Sequence, residues 1–77
     1  MMSESSFIIA LGKRITFYRE KAGLTECGLS GITGITIEDI IAYEKGSLSI
    51  QVEDFLKIIK ALDIDSAQLM AGITLKK

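Results

Sequence analysis

Seventy-seven residues leave room for one hydrophobic core, so the chain reads as a single domain over 1–77. It is 48% hydrophobic and contains no proline and no histidine, which favours a helical protein and leaves little for acid–base or metal chemistry. A net charge of −1 gives no global attraction to nucleic acid.

The opening residues, Met1–Ser6, are polar, and Ser5 or Ser6 is placed to cap the first helix. Over 7–22 the residues Ile8, Leu11, Ile15, Tyr18 and Ala22 recur at helical spacing and define one inner stripe. Phe7 and Phe17 fall off that stripe. Gly23 closes the helix in the left-handed conformation. A second, short helix is predicted over 25–33, with Thr25 at its N-cap. Gly28 and Gly31 each cost it about 1 kcal/mol relative to alanine, so packing around Leu29 and Ile32 must hold it. Cys27 is expected to be a partly buried small apolar residue. A lone cysteine forms no internal disulfide, which points to a reducing cytoplasm.

Gly34 ends the second helix, and Thr36 caps a third over 36–44, with Asp39 near its positive end. Lys45 and Gly46 stop it. Ser47–Ile50 reads as a loop. A fourth helix, 51–62, is expected to bury Val52, Phe55, Leu56, Ile59 and Leu62 and to leave Glu53, Asp54, Lys57 and Lys60 in water. Asp65 and Gln68 form a capping box for a fifth helix over 66–71. Gly72 stops that helix and a tail comes after it. Neither a secretion signal nor a membrane span is expected, because Phe7–Leu11 is too short an apolar run. The predicted class is therefore all-α, with five helices and a helix-turn-helix at its centre.

The residues Gly23-Leu24-Thr25, Leu29-Ser30, Thr33-Gly34-Ile35, Ile40 and Glu44-Lys45-Gly46 resemble the phage-repressor type of helix-turn-helix. That group holds the lambda and Cro repressors and the small bacterial regulators of the xenobiotic-response-element class. The likeness continues through Phe55-Leu56-Lys57-Ile58 and Lys60-Ala61-Leu62, and spans roughly Leu11 to Leu69. Leu48-Ser49-Ile50 is also similar to a loop of restriction–modification controller proteins. The resemblance implies a lambda-repressor-like fold and a repressor-type regulator that binds double-stranded DNA, without a cofactor. It implies DNA contacts from Thr25 and Glu26, and from Thr36, Ile37, Glu38, Asp39, Ile41 and Ala42 in the major groove. Lys45 and Ser47 match backbone-contacting positions. Glu26 stands where the family commonly has glutamine, and Ile37 and Ala42 where polar residues are frequent.

Charge runs against this assignment. Residues 7–23 hold Lys13, Arg14, Arg19 and Lys21 against Glu20, a local +3, while 24–46 hold Lys45 against Glu26, Glu38, Asp39 and Glu44, a local −3. The segment expected to enter the groove is the acidic one, so Lys13, Arg14, Arg19 and Lys45 would have to face the phosphates. A second reading stays open: a helix-turn-helix fold that serves as a protein-interaction module, antitoxin-like, with exposed Ile37 and Ile41 on an acidic helix. An enzymatic reading has little support. Glu38 and Asp39 are adjacent on a helix, about 100° apart, and cannot share one substrate atom.

A domain this small covers few base pairs, so the regulator is expected to act as a homodimer. A mean hydropathy of +0.36 suits a partly apolar surface buried against a second copy. The expected seam comprises Ile58, Leu69, Met70, Ile73 and Leu75, with Ile64 beside it.

Overall fold

In a computed structural model, residues 4–71 are described, and they form five helices: α1 (Glu4–Lys21), α2 (Glu26–Thr33), α3 (Ile37–Lys45), α4 (Val52–Leu62) and α5 (Ser66–Met70). The first helix packs against α3 and α5, while α2 packs against both α3 and α4. No helix among the described residues is long and apolar enough to cross a membrane.

The caps lie where local chemistry puts them. Thr25 and Thr36 are N-caps whose hydroxyls accept the N–H groups of Gly28, at 2.9 Å, and Asp39, at 3.2 Å. The Asp65 carboxylate accepts from Gln68 N–H at 2.7 Å, and the Gln68 side chain accepts from Asp65 N–H at 3.1 Å. Gly34 takes φ 80°, a conformation that costs a side-chain-bearing residue dearly, and so turns the chain from α2 towards α3. Side chains then lock the turn. The Ser30 hydroxyl donates to Ile35 O at 2.5 Å, and the Thr33 hydroxyl donates to Leu29 O at 2.8 Å while accepting from Ile35 N–H. These bonds hold a helix whose own propensity is poor.

The first helix starts earlier than expected. It runs from Glu4 through Ser5 and Ser6, which are therefore helical residues and not caps. No glycine or proline precedes Gly12, so nothing stops the hydrogen-bonded turns from extending. It ends at Lys21, and Ala22 is exposed instead of completing the inner stripe.

The core comprises Leu11, Ile15, Leu29, Ile35, Ile40, Tyr43, Ile58, Leu62 and Leu69, with Phe7, Tyr18, Phe55, Ile59, Ile64 and Met70 packed around it. Two of the expected seam residues, Ile58 and Leu69, are fully buried within the single chain. They cannot meet a second copy without unfolding the first. Met70 is half-buried against the same core, and Ile73 and Leu75 lie outside the described residues.

Conversely, Ile32 is 58% exposed, Leu56 55% and Val52 74%, against the expectation that all three lie inside. The inward line of α4 runs through Ile58 and Leu62, and Leu56, two residues before Ile58, falls about 160° round the helix. Cys27 is likewise exposed and not partly buried.

At the crossing of α1 and α3, Gly12 is buried, and a Cβ there would strike the backbone carbonyls of Tyr43 and Glu44. Glycine permits that approach because its missing side chain lets one helix backbone rest on the other.

Candidate nucleic-acid interface

The helix-turn-helix is held from behind by a buried ion pair. Arg19 is one turn beyond Ile15 on the inward side of α1, and its guanidinium donates to both carboxylate oxygens of Glu44 on α3. The distances are 2.7 Å from Nε and 3.2 Å from Nη2. A third donor, Nη1, reaches Leu24 O at 2.8 Å, in the link that leads to α2. The side chains are 10% and 6% exposed. This forked geometry suits arginine, whose planar donors match a carboxylate two to two. The Glu44 hydrogen bond is also what raises the Arg19 pKa above its ordinary value.

Glu26, the first residue of α2, joins this cluster. A hydrogen bond with Glu44, then burial, then the Glu44 charge hold its carboxyl above the usual carboxylate range. A second tie fixes the other side of α3. The Tyr43 hydroxyl donates to Asp54 of α4 at 2.5 Å, and burial first and that carboxylate second push the Tyr43 phenol up to about 12.

These contacts correct the reading of two cations. Arg19, expected beside phosphates, is buried and occupied by Glu44 and Leu24. Arg14, expected at the DNA backbone, lies against α5, donating from Nε to Leu69 O at 3.2 Å and from Nη2 to Gln68 O at 2.9 Å. Its guanidinium donates to carbonyls at the end of that short helix, of which Gln68 O also accepts from Ala71 N–H at 3.3 Å. Of the four expected cations, only Lys13 and Lys45 are exposed.

The other candidates divide by exposure. Thr25, Thr36, Glu38, Lys45 and Ser47 are exposed, and Glu26, Ile37, Asp39, Ile41 and Ala42 are half-buried. Ile37 and Ile41, expected to be exposed, are therefore only partly so. Ser47 donates from Oγ to Ala42 O at 3.3 Å and so extends the end of α3. The local negative charge is also smaller than a count of residues implies, because Glu44 is neutralised internally by Arg19. Arg19 was legible in part, since it falls four residues after Ile15 on the inner stripe. Its partner, 25 residues away, was not.

Two short helices joined by a glycine turn, capped by threonines, with the second packed on a long first helix, define a helix-turn-helix domain. The helix-turn-helix domain family model matches residues 12–75, and the chain belongs to that family. Among solved structures it is similar to the restriction-modification controller protein C.AhdI from Aeromonas hydrophila. The two share 26% identity with a TM-score of 0.78, over 80% of this chain and 94% of that one. No curated protein sequence matches the chain.

Proposed function

We propose that this protein is a DNA-binding transcriptional regulator that acts in the cytoplasm as a homodimer, with α3 as the recognition helix in the major groove. The observation that carries this reading is the Arg19–Glu44 pair. It takes one of the four acids counted over 24–46 out of the exposed charge and ties α3 to α1. The similarity to a restriction-modification controller supports a regulatory role, and suits a repressor-type action at a palindromic site. Thr25 and Thr36 are exposed at two helix N-termini, where hydroxyls and free N–H groups can meet phosphates. Glu38 and Asp39 are the candidates for base readout, because a carboxylate in the major groove accepts from cytosine N4. Lys45 and Ser47 are the candidates for backbone contact. No catalytic step is assigned to the protein.

Fluorescence anisotropy on duplex DNA tests this directly. Affinity should fall steeply with salt, and Lys45→Ala should weaken all duplexes alike while Glu38→Ala changes which sequence is preferred. Weak, salt-independent binding would return the chain to the protein-interaction reading.

A further inference from the structure

The last turn of α2 leaves an isoleucine outside. Ile32 is exposed and belongs neither to the core nor to the residues packed around it. Between Ile32 and Thr33 on one side and Lys57, Lys60 and Ala61 of α4 on the other lies a mostly apolar groove of about 440 Å³, open to solvent.

This groove is positively charged in a chain whose net charge is −1. Lys57 and Lys60 stand about 4.5 Å apart along the axis of α4, close to one turn. Lys57 reaches only Glu53, at 3.9 Å, with both side chains exposed, a contact worth little. Lys60 makes no ion pair among the described residues. The Thr33 hydroxyl is already bonded to Leu29 O and Ile35 N–H. The groove therefore offers an apolar floor and, beside it, two ammonium donors that suit carboxylates.

The last residues of the chain do not fit there, because Lys76 and Lys77 carry the charge of the groove itself. A free small molecule would stay half in water in so open a groove, whereas ligand sites enclose most of a ligand's surface. A partner protein closes the opening with its own bulk. It must bring an apolar side chain to lie on Ile32 and Ala61, and carboxylates about one helical turn apart to meet the two ammonium groups. An amphipathic helix supplies that arrangement at positions i, i+3 and i+4.

We propose that the groove between α2 and α4 docks an acidic amphipathic helix of a partner protein. None of its residues is among those proposed above to touch DNA, so the proposal stands or falls apart from that reading.

Selection of peptides from a random phage-displayed library against the full chain provides the test, with affinities of the enriched peptides read by fluorescence anisotropy. The expected consensus pairs a large apolar residue with Asp or Glu three or four positions away. Ile32→Gln should weaken those peptides at least about tenfold, since it removes the hydrocarbon on which they rest. Lys57→Glu/Lys60→Glu should weaken them comparably, and should bind instead the same peptides with Lys in place of their acids. Loss of folding cannot mimic that exchange. Far-UV circular dichroism should be unchanged, because these side chains face solvent. A selection without an acidic–apolar consensus, or peptides that bind both variants as well as wild type, would overturn the proposal. So would a Lys57→Glu/Lys60→Glu chain that keeps its peptides but loses duplex DNA, which would assign the lysines to phosphates. An Ile32→Gln chain that keeps its peptides but loses self-association would also overturn it, by putting a second copy in the groove.

Discussion

Replacing Arg19 by methionine removes the guanidinium but keeps a side chain of similar length in the same space. Glu44 is then left 6% exposed, with no cation in reach and the Glu26 carboxyl beside it. Breaking one partner out of a buried pair costs about 3–5 kcal/mol, because the remaining charge is neither hydrated nor compensated. A domain of this length has a total stability of only roughly 4–12 kcal/mol. The loss should lower the melting temperature by about 20 °C, at roughly 4–8 °C per kcal/mol for a domain of this size. Thermal denaturation followed by circular dichroism measures it. The double variant Arg19→Met/Glu44→Leu should recover most of the deficit, since well-packed apolar residues often replace a buried ion pair at little cost. Acidification should also help the single variant. Glu26 binds its proton more tightly in the folded chain, so stability rises as pH falls through the carboxylate range. A single variant within about 1 kcal/mol of wild type would refute the claim that this pair holds α3 in place. So would a double variant as unstable as the single.

Gly12→Ala should destabilise by about 2–3 kcal/mol, although alanine is the better helix former, because its methyl would strike backbone carbonyls of α3 that cannot rotate away. Urea denaturation reads the size, and a neutral or stabilising outcome would show that the two helices are not in close contact. Tyr43 gives a window at high pH. Its folded pKa of about 12 exceeds the ordinary 10, so its contribution is intact below pH 10 and is lost as the pH rises towards 12. Wild-type protein should lose about 2–3 kcal/mol more than Tyr43→Phe across that interval, and parallel curves would contradict the Tyr43–Asp54 tie.

The parts of this fold that were legible in the sequence are the locally determined ones. A threonine three residues before a free N–H, or a glycine after the last helical turn, acts over one turn of chain. Thr25, Gly34, Thr36 and the Asp65–Gln68 box therefore fell where expected. The orientation of α4 was not legible. Val52, Phe55, Leu56, Ile58, Ile59, Ala61 and Leu62 spread its apolar face over about 220°, from Ala61 round to Leu56, so periodicity alone does not say which part of that arc points inward. Contact with α2 selects the one through Ile58 and Leu62. The same ambiguity put Val52 and Leu56 inside, whereas both are exposed, and Leu69, expected at a seam, closes the core of the single chain. Arg14 and Arg19 read as solvent-facing in the sequence because cations on a first helix usually are. Their partners, Leu69, Gln68, Glu44 and Leu24, are brought to them only by the tertiary fold.

Selection of bound duplexes from a random pool by the full-length protein tests the central claim, that a dimer reads DNA through α3. The expected product is a palindromic site whose half-sites lie about 34 Å apart, one turn of the duplex. Repeating the selection with Glu38→Gln should change the preferred bases within each half-site and leave their spacing unchanged. A pool with no enriched sequence, or a site that is the same for wild type and for Glu38 and Asp39 variants, would contradict it.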